Sequence, residues 1–154
     1  MSSDLTESKI APLCVIALGG NTGNTAATFL RAAELLKHGG FTVRRVSSSI
    51  VTEPEGMAPG TPPFLNAVLS GYWSGTPEEL LALCRRIEEE CGRPNDHIPY
   101  TDRTLDLDII LFGDLRMETE RLTIPHPRAH LRSFVMDPLE EIEPDLKRCF
   151  FEKP

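Results

Sequence analysis

No apolar run in this chain approaches the ~20 residues that a membrane-spanning helix requires. The opening stretch, Met1 to Pro12, is polar and mixed in charge, so it lacks a signal peptide's hydrophobic segment and reads as a flexible extension. Both absences point to a soluble protein of the cytoplasm. Cationic charge is short as well: 16 Lys and Arg stand against 23 Asp and Glu, a formal net charge of −7. A general nucleic-acid binder needs the opposite balance to neutralise phosphates, so that class is set aside. Cysteine is sparse and unpatterned. Cys14, Cys84, Cys91 and Cys149 form no CxxC pair and no zinc spacing, and they read as small buried or incidental thiols. Repeats, low-complexity tracts and a linker able to divide the chain are missing too. What remains is 154 residues, 40% apolar and 25% charged, expected to form one domain large enough to bury a core.

Apolar runs and their punctuation predict the elements. Leu13 to Leu18 is a short apolar run ending at Gly19-Gly20 and reads as a buried strand. The glycine cluster Gly19 to Asn24 lacks the Lys-Ser/Thr of a Walker A loop and reads mostly as a turn. Asn24 can cap a helix over Thr25 to Lys37 that Gly39-Gly40 terminates. Phe41 to Val51, rich in Val, Ser and Thr, reads as one strand. Glu53 to Pro63 contains four prolines and two glycines, a composition that excludes regular structure and marks a functional loop. Phe64 to Trp73 is a further strand. Thr76-Pro77-Glu78-Glu79 then supplies a cap, a proline at the first helical position and a reciprocal glutamate. Leu80, Leu83, Cys84, Ile87 and Cys91 follow at helical spacing, and Gly92 stops the helix. Gly92 to Thr104 is a second irregular loop. Leu105 to Phe112 is the clearest strand, and Gly113-Asp114 turns it towards Met117 to Leu122. From Pro125 onward, short helices broken by prolines are expected. Strand, helix, strand, strand, helix, strand is the order of a ferredoxin-like βαββαβ α+β sandwich, an antiparallel sheet with helices packed on its faces.

The sharpest chemical signal lies on that clearest strand. Side chains alternate between faces, so Asp106 and Asp108 share one while Leu105, Leu107, Ile109 and Leu111 fill the other. Two strand rises hold the carboxylates roughly 7 Å apart at Cα. Such a pair suits magnesium, which prefers carboxylate oxygens together with substrate phosphates. The ordinary alternative is a solvated acidic edge, but Asp is depleted in strands. Arg121 to Met136 carries no Asp or Glu, yet holds Arg121, Arg128, Arg132, His126 and His130, a composition that favours a local anion site. Pro125 and Pro127 keep His126 out of a helix interior, so the four-residue spacing to His130 is not read as zinc. Phe64 and Asn66 share a strand face, where a ring can stack on a heterocycle and an amide can read its edge.

In register along nearly the whole chain, these residues resemble the hydroxymethyldihydropterin pyrophosphokinase family. The most specific match is Arg103-Thr104-Leu105-Asp106-Leu107-Asp108, followed by Leu111-Phe112-Gly113 and Leu122-Thr123-Ile124-Pro125-His126. Ala17 to Asn21, Thr52 to Gly56, Phe64 to Ala67, Gly92-Arg93 and Asp137-Pro138-Leu139 also match. The resemblance implies transfer of pyrophosphate from ATP to 6-hydroxymethyl-7,8-dihydropterin in folate synthesis, by a monomer that needs neither nucleic acid nor membrane. It implies two magnesium ions on Asp106 and Asp108, and a pterin ring between Phe64 and Phe134. Asn66 and the chain around Thr52 and Pro54 would read the ring's edge. Arg121, Thr123, His126, Arg132 and the backbone of Ile109 would contact ATP, with Glu88 supporting the site. Arg93 and Arg103 would stabilise charge from a mobile lid. This chain departs from the family pattern at Asn95 and at Tyr100-Thr101-Asp102, which makes the lid less cationic and predicts that it is open or disordered in the free enzyme. Two rival readings are a family member that binds pterin or nucleotide without turnover, and another two-metal nucleotidyl-transfer enzyme.

Overall fold

The computed structural model describes residues 11–54, 59–92 and 104–151. The expected N-terminal extension, the lid with Arg93 and Arg103, and part of the first proline-rich loop therefore lie outside the described residues. Five strands form one antiparallel sheet: β1 (Leu13–Gly20), β2 (Thr42–Val46), β3 (Ile50–Thr52), β4 (Phe64–Tyr72) and β5 (Asp106–Phe112). Their order is β2-β4-β1-β5, with β3 also paired to β4. This is the expected ferredoxin-like arrangement. A separate two-stranded ribbon joins β6 (Met117–Glu118) to β7 (Thr123–Ile124).

Local chemistry explains the helices. Helix α1 (Thr25–His38) starts where the Asn24 side chain accepts the Ala27 N–H. Helix α2 (Pro77–Glu90) opens with a complete capping box between Thr76 and Glu79. Helix α3 (Ser133–Ile142) follows a short 3-10 turn at Ala129–Leu131, and a second such turn covers Pro144–Phe150. Pro138 lies inside α3, buried, so the proline that was expected to break this region is carried by packing instead.

Two cores sandwich the sheet. One, under α1 and α2, holds Ile16, Leu18, Leu36, Leu69, Leu80, Leu105, Leu107 and Ile109. The other, under α3, holds Val15, Val68, Ile110, Leu111, Val135 and Leu139. The expected strand over Phe41 to Val51 is split. The Ser47 N–H still donates to the Val68 carbonyl at 2.9 Å, but its Oγ accepts the Val68 N–H in place of its own carbonyl and the Ser48 N–H turns to the Glu141 carboxylate, which interrupts the ladder until β3. Simple alternation also fails on β5. The β1–β5 register shifts between Val15 and Ile16, so Val15 faces Leu111 and Ile16 faces Ile109, leaving Ile110 as an extra residue. Leu111 consequently packs under α3 beside Ile110 rather than with Leu107, and Phe112 packs in the opposite core.

Candidate active site

Upstream of that irregularity β5 is regular, and it presents Asp106 and Asp108 on the α3 side. Cross-strand pairing sets their neighbours: Asp106 lies opposite Gly19 and Asp108 opposite Ala17 on β1. On the far side of β1, Gly19 pairs with Asn66 of β4. The central strand thus contributes the two smallest side chains to this face, and they form the floor of a cleft of about 800 Å³. Gly19 and Gly20 were expected to leave the strand, but both continue it. A Cβ on Gly20 would lie 2.5 Å from the Thr104 carbonyl oxygen, so glycine there lets the two backbones approach.

Three walls surround the floor. The start of β4 and the chain from Thr52 to Pro54 supply Phe64, Asn66, Thr52 and Pro54. The beginning of α3 supplies Arg132 and Phe134, with the Arg132 guanidinium carbon 5.7 Å from the Phe134 ring centre. His126 closes the β5 side, anchored by its N–H on the Ile110 carbonyl at 3.0 Å. Nine expected site residues therefore line one cavity. Glu53, Leu131 and Ser133 line it as well. Leu131 and Ser133 carry no sequence signal beyond their place beside Arg132.

The remaining expectations lie elsewhere. Arg121 lines a separate depression of about 460 Å³ with Leu81 and Glu78. Thr123 lies in the β6–β7 ribbon, and the Ile109 side chain is in the core under α1 and α2. Glu88 is buried on that same opposite side, 2% exposed, and it supports β5 from behind. Its Oε2 accepts the Leu107 N–H at 2.8 Å, between the two aspartates, and the Arg85 Nη1 at 2.7 Å.

Polar detail restricts what the cleft can recognise. Asn66 Nδ2 donates to the Ile50 carbonyl at 3.2 Å and to Thr52 Oγ1 at 2.9 Å. Those bonds stitch β3 to β4 and use both amide hydrogens, so Oδ1 is the Asn66 atom left to accept from a ligand. His126 Nδ1 accepts the Arg128 N–H at 3.1 Å, which assigns the neutral ring's proton to Nε2. Burial pushes the His126 pKa below its ordinary value; Asp108 opposes this, while Arg132 and Arg128 add to it. The imidazole is thus a neutral donor beside a carboxylate.

Among the described residues no cluster of three or more His, Cys, Asp or Glu side chains forms a protein-only metal cage. Two half-buried carboxylates on one strand face, above a floor without bulk, nevertheless fit magnesium. That ion takes one or two carboxylates and completes its shell with water and substrate phosphate oxygens. The donor set is all oxygen, which disfavours zinc or copper.

As a class, this is a ferredoxin-like α+β domain with an acidic, aromatic-walled small-molecule cleft. The chain belongs to the 7,8-dihydro-6-hydroxymethylpterin-pyrophosphokinase family, whose model matches residues 15–144. It is 42% identical over 131 residues to the 2-amino-4-hydroxy-6-hydroxymethyldihydropteridine pyrophosphokinase of Bacillus subtilis, a match spanning 84% of this chain and 77% of that one. It is 43% identical over 128 residues to the mitochondrial folate synthesis bifunctional protein of Arabidopsis thaliana, across 83% of this chain and 23% of that one. The chain therefore spans about a quarter of the length of such bifunctional relatives. A crystal structure of wild-type Plasmodium falciparum HPPK-DHPS aligns with a TM-score of 0.63 at 14% identity, over 91% of this chain and 39% of that one, a likeness of fold.

Proposed function

We propose that this domain transfers the terminal pyrophosphate of ATP to the hydroxymethyl group of 6-hydroxymethyl-7,8-dihydropterin, releasing AMP. The observation that carries this reading is one cleft that holds a carboxylate pair, an aromatic residue on each of two walls, and the guanidinium of Arg132. The hydroxymethyl oxygen attacks the β-phosphorus, the bond from that phosphorus to the α,β-bridging oxygen breaks, and the hydroxyl proton leaves to solvent. No protein nucleophile is required, so catalysis rests on positioning and charge neutralisation.

Phe64 and Phe134 hold the ring by stacking, and Asn66 Oδ1 accepts from an N–H on its edge, next to the chain at Thr52 and Pro54. Arg132 and the His126 Nε2–H meet phosphate oxygens. Magnesium bound by Asp106 and Asp108 would neutralise the polyphosphate and polarise the phosphorus that is attacked. Glu88 keeps the strand between those carboxylates fixed. Thr123 and the backbone of Ile109 contribute to the nucleotide side, and Arg93 and Arg103 supply further positive charge during transfer. The domain acts as a monomer in the cytoplasm.

The test is a coupled assay for AMP release from ATP, magnesium and 6-hydroxymethyl-7,8-dihydropterin. AMP should form only when all three are present. Tight pterin binding without AMP would replace this reading by that of a binding protein.

A further inference from the structure

A buried carboxylate far from the cleft is left without a role by the chemistry above. Glu143, at the end of α3, is 7% exposed. Its Oε2 accepts from Ser70 Oγ at 2.7 Å and from Arg44 Nε at 2.8 Å, and Ser70 itself is fully buried. Arg45 Nη1 donates to the neighbouring Ile142 carbonyl at 2.8 Å. Two residues earlier, the Glu141 carboxylate accepts from Ser48 Oγ at 2.7 Å. The C-terminal end of α3 is therefore clamped to β4, β2 and the break between β2 and β3 by directional, charge-assisted bonds.

The opposite end of the same helix bears Phe134. Strand β4 has the matching layout, since Phe64, Asn66, Val68 and Ser70 alternate onto the α3 side. Phe64 and Asn66 are in the cleft, Val68 is in the core, and Ser70 is in the clamp. Between the two ends α3 meets the sheet through Val68, Val135 and Leu139. Such apolar contact is non-directional and does not by itself fix how far a helix slides or tilts. The bonds to Glu143 do.

We propose that Glu143 is a positioning residue for the ring slot: it fixes the pitch of α3 over β4, and so the gap between Phe134 and Phe64. The inference rests on the pterin reading of that slot. A planar ring between two aromatic faces needs a separation of roughly 7 Å, twice the carbon contact distance, and a drift of about 0.5–1 Å forfeits a quarter to a half of the contact. Removing the Glu143 bonds therefore weakens ring binding most: the groups on β5 and at His126 stay where they are, and of the phosphate contacts among the described residues only Arg132, at the start of α3, shifts with the helix.

The experiment is calorimetry on the whole chain at a temperature where circular dichroism shows every variant folded. Nucleotide affinity is measured with magnesium and a non-hydrolysable ATP analogue, and pterin affinity with both present at saturation. Glu143→Ala should raise the pterin dissociation constant about five- to tenfold and that of the nucleotide by a smaller factor, about twofold, through the single contact at Arg132. Glu143→Gln, which keeps an acceptor for Ser70, should recover most of the loss. In a Phe134→Ala background, Glu143→Ala should have little further effect on pterin, because the two act through one contact. Unchanged pterin affinity, equal losses for both ligands, or full additivity with Phe134→Ala would each overturn the inference. Should Glu143→Ala fail to fold, Ser70→Ala removes the 2.7 Å bond without altering charge and is judged by the same criteria. Wild-type protein unable to bind pterin would sink the reading of the slot, a result distinct from a variant that binds as the wild type does.

Discussion

Glu88→Ala isolates the support behind the carboxylate pair. The Leu107 N–H is buried on a fully buried residue, and the Glu88 carboxylate accepts from it at 2.8 Å. Truncation strands that donor away from water, at a cost of roughly 1–3 kcal/mol, and also removes a charge-assisted bond. The Arg85 side chain is 42% exposed and can rehydrate once its partner is gone, so the 2.7 Å ion pair adds little to the loss. Together these effects give about 2–4 kcal/mol of lost stability, or a fall in Tm of roughly 5–15 °C for a domain of this size. Glu88→Gln retains an acceptor and should lose less than half as much. Function should suffer beyond the stability effect, because Leu107 lies between Asp106 and Asp108. At a temperature well below the melting transition, the Ala variant should turn over more slowly and need more magnesium for half-maximal rate. Urea denaturation followed by circular dichroism measures the first quantity and a magnesium titration of AMP release the second. A Glu88→Ala protein with wild-type stability, or with an unaltered magnesium requirement, would refute this account of the strand's support.

Asp106→Ala and Asp108→Ala should each lower AMP release by at least two orders of magnitude with little change in Tm, since both side chains stand in the cleft; near-normal turnover in either would sink the metal assignment. Phe134→Ala should weaken pterin binding more than nucleotide binding in calorimetry, by about 0.5–1.5 kcal/mol beyond the lost area, whereas equal losses would argue against stacking. Burial pushes the Cys14 and Cys84 thiols up to about 12. Native protein should therefore resist alkylation at both positions at pH 8, as read by peptide mass spectrometry, and rapid labelling would contradict their packing. Folding holds these thiols protonated, so the stability they contribute is fully present below the unfolded thiol pKa and is lost as pH climbs from about 9 towards 12, which alkaline denaturation curves would register.

Much of the architecture was legible because its signals are local. Asn24, the box at Thr76 and Glu79, and the glycines behind each helix act within a few residues, and the helices begin and end where those residues stand. The aspartate pair was legible for the same reason, as two residues on one regular half of a strand. What escaped depends on contacts distant in sequence. The run Ile109 to Phe112 is apolar throughout, so no contrast marks the extra residue at Ile110 that changes which core Leu111 enters. The ladder is interrupted after Ser47 because its hydroxyl, in place of its carbonyl, accepts from Val68, and Pro138 stays helical because its ring is buried. Arg121 was grouped with Arg132 by a shared lack of nearby acid, yet the β6–β7 ribbon carries it to another depression. Charge along the chain says nothing about which side of a turn a residue will occupy.

The cleft owes its depth to Gly19 and Ala17, positions defined by what they omit, and this sets an asymmetry on how the binding space can change. Nothing smaller than glycine exists, so the floor beneath Asn66 and Asp106 already stands at its lower bound, and only one methyl group can still be removed beside Asp108. Substitution at either position can raise the floor and narrow the range of ligands, but it can scarcely lower it. A lineage of such proteins, or an engineer, could adapt the site to a slimmer ring by single replacements on β1. Admitting a bulkier one would require moving the walls.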